Sequence, residues 1–178
     1  MKRTPNHRGQ AGFTLVELII TSAISVVVLS ALASVVLTTF RAGTVATGRI
    51  EASSQIRTFE LRAYDDFARS GVPPTAGCGA SSSNPCTTSA IVLSGLQVSN
   101  STQPVPANYS VTYVWDGSAF LDRRVGSGAP AHMATSVTAF SWYVDQSGGS
   151  PTVVVSLTVT VLNYSESQTL RFYPRLNP

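Results

Sequence analysis

The chain has 178 residues, of which 43% are hydrophobic and 12% charged, and its formal net charge is +3. This length leaves room for one modest domain beside a membrane anchor. Lys2, Arg3 and Arg8 supply three of the twelve basic residues, and the remaining nine match the nine acidic residues in number. The chain beyond residue 12 is therefore neutral, which argues against a strongly basic nucleic-acid-binding protein.

A junction at residues 12–17, Gly-Phe-Thr-Leu-Val-Glu, joins the basic leader to 23 uncharged residues, Leu18 to Phe40. Such a segment is long enough to cross a bilayer core of about 30 Å as a helix. Cations before it keep the amino end in the cytoplasm and direct everything after Phe40 outward. The sequence therefore predicts a single membrane span.

Glu17 stands at the start of this apolar segment. A carboxylate within a span costs roughly 2.5 to 3.5 kcal/mol on insertion scales, so it needs a cation. No Lys or Arg lies between Arg8 and Arg41. Cleavage after Gly12 would expose the ammonium group of Phe13, one helical turn from Glu17 in the same chain. The terminus of a neighbouring subunit would serve equally well, and that option implies assembly.

The junction resembles the class III leader of type IV prepilins and type II secretion pseudopilins. This resemblance implies cleavage between Gly12 and Phe13 by a prepilin peptidase, N-methylation of Phe13, and pairing of Glu17 with the amino terminus of another pilin. It also implies a structural subunit that is not an enzyme and has no cofactor. The subunit would be held in the inner membrane, with its C-terminal domain in the periplasm or outside, before it enters a pilus or pseudopilus.

The implied partners are other pilin subunits, reached through the N-terminal helix, together with the prepilin peptidase, the inner membrane and an assembly platform. Two alternatives remain open. A secretory signal would also have a basic start and an apolar stretch, and Ala31-Leu32-Ala33 fits its small-x-small cleavage pattern. Glu17 and the continuing apolar run beyond Ser34 argue against this alternative. The other alternative is a plain anchor with a chance hexapeptide.

The next segment is predicted to be an amphipathic helix. From residue 49 to residue 69, apolar residues recur every three or four positions and define one buried stripe: Ala52, Ile56, Phe59, Ala63 and Phe67. Gly43 and Gly48 predict a bend or an unwound turn before it. Gly71, Pro73 and Pro74 end the helix.

Charged residues are expected on the opposite face of this helix. Arg62 with Asp66, and Asp65 with Arg69, stand four residues apart, so each is predicted to form an exposed pair worth a few tenths of a kcal/mol. Adjacent Asp65 and Asp66 point in different directions and do not form an acid/base dyad.

Cys78 and Cys86 are the only cysteines, and they bracket a small polar loop. An exported domain permits a disulfide between them. Closing this loop would add about 2 to 3 kcal/mol on the chain-entropy model. A zinc site is not expected, because there is no second cysteine pair and no nearby histidine.

Beyond residue 74 the apolar period changes to two. Alternation predicts strands at 109–115, 119–125, around Phe140 to Val144, at 152–164 and near Leu170 and Phe172. Asp116-Gly117 predicts a hairpin turn between the first two. The expected fold class is α+β and pilin-like, with the Ile56, Phe59 and Phe67 stripe lying across one antiparallel sheet with a solvent-exposed face.

Five segments follow from this division: the leader 1–12, the transmembrane half-helix 13–40, the amphipathic half-helix 41–70, a Ser/Thr/Pro-rich region 71–107 with a short strand, and the sheet 108–178. Residues 105–175 also resemble, more loosely, the W-type minor pilins and J-type minor pseudopilins. That resemblance implies a subunit at or near the filament tip that helps to initiate assembly.

Side chains capable of chemistry are few. His132 is expected to pack or to face solvent, and the adjacent Arg123-Arg124 pair to lie on a solvated strand edge. Asp116, Asp122 and Asp145 lack the spacing of a calcium loop, so no metal site is predicted. An alternative function is an adhesin or a DNA-uptake module that uses the 73–106 loop; salt-sensitive DNA binding would support it.

Overall fold

The computed structural model describes residues 12–88, 90–95 and 110–175. Within these ranges one helix is followed by seven strands: α1 (Leu15–Arg69), β1 (Ile91–Ser94), β2 (Ser110–Trp115), β3 (Leu121–Val125), β4 (Ala131–Ala134), β5 (Val137–Asp145), β6 (Thr152–Val161) and β7 (Tyr164–Phe172). This confirms the α+β class with a long N-terminal helix. The leader up to residue 11 and the whole 96–109 stretch, which includes Tyr109 at the beginning of a predicted strand, lie outside the described residues.

The chain divides into two compact units, one ending at Gly43 and the other beginning at Thr44. In the first unit every described residue is exposed. The second unit contains all seven strands and the hydrophobic core. The two units are therefore described separately below.

The strands form two antiparallel sheets rather than the single sheet predicted from the sequence. One has the order β1-β2-β3-β4 and the other β5-β6-β7. Each strand pairs with the next along the chain within its sheet, as expected for short connections. Alternation of apolar residues identifies the strands but carries no information about where one sheet ends, so the division between β4 and β5 could not be read from it.

The structure tests one predicted hairpin turn and one predicted long strand. Trp115 pairs with Leu121, which confirms the turn at Asp116-Gly117. The strand predicted over 152–164 is wrong at its end, because β6 stops at Val161 and β7 begins at Tyr164. Only two residues form the turn between β6 and β7. Because so short a turn does not interrupt the alternation of apolar and polar residues, the sequence does not show that the chain reverses direction there.

The predicted helical stripe is confirmed as part of the core. Its five apolar residues are almost completely buried. Aromatic rings join it to both sheets: Phe59 meets Tyr113 edge-on at 5.5 Å between centroids, and Phe67 stacks on Phe172 at 4.5 Å. Such pairs each contribute about 0.5 to 1.5 kcal/mol beyond the area that they bury.

The unwound turn predicted as one possibility at Gly43 and Gly48 is wrong, because α1 continues through both glycines. Gly48 is buried, and a Cβ placed on it would lie 2.9 Å from the carbonyl oxygen of Val161 and 3.3 Å from the Cβ of Tyr164. The glycine therefore permits the β6–β7 hairpin to approach the helix backbone closely. Its role is packing within the second unit, and a glycine at this position is less favourable for the helix than alanine by only about 1 kcal/mol.

A disulfide joins Cys78 and Cys86. The loop that it closes lies along the outer edge of β5. The amide of Cys86 donates to the carbonyl of Trp142 at 2.8 Å, the amide of Trp142 donates back at 2.9 Å, and the amide of Val144 donates to Gly79 at 2.7 Å. The loop thus covers an edge strand that would otherwise expose its backbone hydrogen-bonding groups.

Candidate functional site

The predicted processing and assembly residues lie at the beginning of α1. The helix starts at Leu15, and the Thr14 hydroxyl accepts a hydrogen bond from the amide of Glu17 at 3.3 Å. Thr14 is therefore the N-cap, and Glu17 occupies the third helical position of a Thr-x-x-Glu pattern. A carboxylate in the first turn also interacts favourably with the helix dipole. Sequence reasoning missed this local role, although the pattern itself was visible.

Phe13 precedes the first helical residue and is 74% exposed. Its nitrogen is a peptide nitrogen here, because Gly12 is still attached. The ammonium group that would pair with Glu17 is therefore not formed in the uncut chain. Within residues 12–88, 90–95 and 110–175, no cation forms a salt bridge with Glu17.

The apolar surface that follows Glu17 has no internal cover. Most of its hydroxyl groups, however, are satisfied within the helix. Thr21 donates to the carbonyl of Glu17 at 2.9 Å, Ser25 to that of Thr21 at 2.7 Å, and Thr38 to that of Ser34 at 2.8 Å. Such bonds to the preceding turn remove the need for water around these side chains. These hydroxyl groups can therefore face hydrocarbon or other helices without being left unpaired.

Of the part of the chain that the structure describes, one helix, Leu15–Arg69, passes the length and composition criteria for crossing a membrane. Its most apolar window is entirely exposed, which distinguishes it from the buried core helix of a soluble domain. An exposed apolar helix of this length near the N-terminus is typical of a single-pass membrane anchor.

A second notable cluster lies in the core of the Thr44–Pro178 unit. Asp66 accepts hydrogen bonds from Arg123 Nε at 2.6 Å, from Arg123 Nη2 at 2.8 Å and from the Tyr113 hydroxyl at 2.5 Å. Only 7% of the Asp66 side chain is exposed. Burial raises the pKa of the Tyr113 hydroxyl far above its usual value, and the bond to Asp66 raises it further. The hydrogen bonds that Arg123 donates to Asp66 raise the pKa of the Arg123 guanidinium.

This cluster corrects two sequence predictions. The exposed pair Arg62–Asp66 is wrong, because position 66 lies beside Phe67 and Ala63 on the buried stripe. The solvated edge predicted for Arg123 is also wrong, because β3 lies between β2 and β4 and Arg123 reaches Asp66. The pair Asp65–Arg69 is confirmed at 2.8 Å. The apolar period alone could not show that a carboxylate belonged to the core.

The remaining polar candidates engage separate partners. His132 Nδ1 lies 2.5 Å from Asp122 Oδ1, and its ring packs on Phe120 at 4.7 Å. The side chain and amide of Ser118 hydrogen-bond to Asp116 and lower its pKa, and Ser147 does the same for Asp145. In residues 12–88, 90–95 and 110–175, no three His, Cys, Asp or Glu side chains group as they would around a metal ion.

Comparison with known proteins supplies one match. Residues 7–33 match the family model described as the prokaryotic N-terminal methylation motif. No curated protein and no solved structure matches the chain. The matched motif is the class III leader of type IV pilins and pseudopilins. Residues 7–33 are thus similar to the N-terminal segment of type IV pilins and pseudopilins, and in this chain a long helix and two antiparallel sheets follow from that segment.

Proposed function

We propose that this protein is a minor structural subunit of a type IV pilus or type II secretion pseudopilus, located at or near the tip, where it helps to initiate assembly. The methylation motif and the exposed apolar helix support the subunit class. The looser resemblance of residues 105–175 to W-type minor pilins and J-type minor pseudopilins supports the minor position.

The observation that carries the proposal is Glu17 itself. It is an exposed carboxylate at the head of a helix whose following residues form an uncovered apolar surface, and the described residues offer it no salt bridge. The helix dipole compensates it only in part, because that interaction is worth about 0.3 to 1 kcal/mol at an exposed site. An incoming ammonium group in a membrane or a helix bundle would compensate it far better.

Cleavage between Gly12 and Phe13 by prepilin peptidase would generate such a group. N-methylation of Phe13 retains the positive charge of the amine. The ammonium of one processed subunit would pair with Glu17 of its neighbour while the apolar surfaces of their helices pack together. Until that step the inner membrane would cover the apolar surface and hold the subunit for the assembly platform.

The assembly role predicts a specific failure. Glu17→Ala should leave membrane insertion intact, because it removes an insertion penalty of roughly 2.5 to 3.5 kcal/mol. The variant should nevertheless disappear from sheared filaments, as measured by immunoblotting of the sheared and membrane fractions. Glu51→Ala, which removes another exposed acid from the same helix, is the matched control and should assemble normally. Recovery of Glu17→Ala in filaments at the wild-type level would contradict the pairing role.

Processing can be tested on the same preparations. Intact-mass and N-terminal analysis should give N-methylated Phe13 as the first residue. A chain beginning at Ser34 would favour the secretory signal instead, and an unprocessed chain starting at Met1 would exclude both. The minor and tip position predicts a low copy number relative to the main subunit, with antibody labelling confined to one filament end.

A further inference from the structure

The tip of the β6–β7 hairpin has an unusual residue. Leu162 has a φ of 55°, and among the described residues it is the only one other than glycine with a positive φ. Positive φ at the first central position of a two-residue hairpin turn is normally supplied by glycine. The Leu162 side chain is also 63% exposed. The turn therefore carries both backbone strain and an apolar group in solvent, and strain of this kind commonly marks a functional position.

Leu162 does not stand alone. Together with Thr44, Val45 and Asn163 it lines a shallow cavity of about 160 Å³. Val45 is 53% exposed, and Gly48 holds the hairpin against this part of α1 through its close approach to Val161. Val45 and Leu162 thus form one small apolar surface, which we call the tip patch, at the start of the Thr44–Pro178 unit.

The place of the tip patch along the chain indicates its partner. Val45 follows Phe40, the last residue of the uncharged segment, by five residues. Five residues of chain span at most about 18 Å even when fully extended. The headgroup layer is about 5 to 7 Å thick on each side of the hydrocarbon core. If the membrane span ends at Phe40, the length of the connecting chain places the depth of the headgroups within reach of Val45.

The chemistry of the tip patch fits that depth. Interfacial anchors combine apolar side chains with aromatic rings and cations that contact the polar layer. Tyr164 is partly buried beside Gly48, and Arg49 is exposed on the neighbouring turn of α1.

We propose that the tip patch inserts Leu162 into the interfacial layer of a phospholipid bilayer. This gives the subunit a second membrane contact besides its span, one that assembly must break. The inference rests on the membrane anchorage included in the proposed function.

The test uses the full chain, one copy per nanodisc, in a phosphatidylcholine and phosphatidylglycerol bilayer. Labelling of Asn163→Cys places an environment-sensitive fluorophore next to Leu162. Because Cys78 and Cys86 are joined in a disulfide, the new cysteine is the one free thiol available for labelling. Lipids with a spin label near the headgroup should quench this fluorophore at least twofold. Gly148→Cys is the matched control, because Gly148 lies in the exposed turn at the opposite end of β6, where a side chain meets open space. It should show little quenching.

Leu162→Asn in the Asn163→Cys background should at least halve the quenching, and Leu162→Met should retain it. Asn tolerates positive φ better than Leu, so Leu162→Asn should also unfold at an equal or higher temperature. Quenching at position 163 no greater than at position 148, or unaffected by Leu162→Asn, would overturn the proposal. Failure of the chain to enter the discs would overturn the anchorage itself, a separately recognisable result.

Discussion

The first unit and the second unit differ in whether the apolar surface of α1 is covered by the chain itself. Up to Gly43, α1 is apolar on all sides and buries none of its described residues. From Thr44 onward the same helix is apolar on one stripe, which is covered by strands of its own chain. The difference lies in the period of the pattern rather than in helix propensity. A helix that is apolar all round needs cover on every side, from a membrane or from other protein elements, whereas a helix with one apolar stripe needs a core on that side only.

The acids of α1 repeat this contrast. Glu17 has no described salt bridge, whereas Asp66 receives three hydrogen bonds from two side chains. Removing Glu17 should therefore affect assembly and leave the folding of the second unit unchanged. Removing Asp66 should affect folding first.

The largest predicted effect on stability compares the buried Asp66 with its exposed neighbour Asp65. Asp66→Ala should lower the free energy of unfolding by about 3 to 5 kcal/mol, because it leaves the partly buried Arg123 without its charge partner. Asp65→Ala, which removes only an exposed pair with Arg69, should cost no more than about 0.5 kcal/mol. Trp115 and Trp142, the two tryptophans of the chain, both lie in the second unit and report its denaturant unfolding.

Equal losses for the two aspartates would mean that the buried cluster is not a significant source of stability. The contrast would also fail if Glu17→Ala, measured in the same detergent, destabilised the second unit as much as Asp66→Ala.

A second prediction compares the two glycines on either side of the boundary between the units. Gly48→Ala should destabilise the second unit by about 2 kcal/mol, because its Cβ would lie 2.9 Å from a backbone oxygen that cannot move freely. Gly43→Ala meets nothing within 4 Å and should favour the helix by up to about 1 kcal/mol. Denaturant unfolding followed by tryptophan fluorescence gives the first effect, and helix content by circular dichroism gives the second. Effects of the same sign would contradict the assignment of Gly48 to packing.

Much of the local structure could be predicted, because local structure leaves a period in the sequence. The stripe from Ala52 to Phe67 and the strands around Val111, Trp142 and Val155 all follow from it. What could not be predicted depends on contacts between distant segments. The bond of Asp66 to Arg123 joins residues 57 positions apart, and neither residue carries a local sign that the other is near.

The candidate processing site shows the reverse case. Gly12, Phe13 and Glu17 were identified from a short motif, and the family match at residues 7–33 supports the motif as a whole. The fold adds the Thr14 cap and the exposed surface behind it, but residues 12–88, 90–95 and 110–175 offer Glu17 no salt bridge. The roles of these three residues therefore stay predictions that filaments and processed termini must test.

The smallest predicted effect isolates one hydrogen bond of the buried cluster. Tyr113→Phe keeps the ring packed against Phe59 and Phe67 and removes the hydroxyl that donates to Asp66. Because Arg123 still satisfies the carboxylate, the loss at neutral pH should be about 1.5 kcal/mol, the low end for a bond to a charged group. Denaturant unfolding measures this loss, and Tyr143→Phe, with a partly exposed ring, should cost less.

The pH dependence provides an independent check on Tyr113. Its pKa is raised in the folded protein, so above pH 10 the unfolded chain releases this proton while the folded chain retains it. The stabilisation is complete below pH 10 and declines as the pH rises further, by about 1.4 kcal/mol per pH unit for one proton. The wild-type protein should therefore lose stability between pH 10 and 11.5 more steeply than Tyr113→Phe. Parallel curves would show that the hydroxyl is not protected by the fold, and the buried cluster would then be open to solvent.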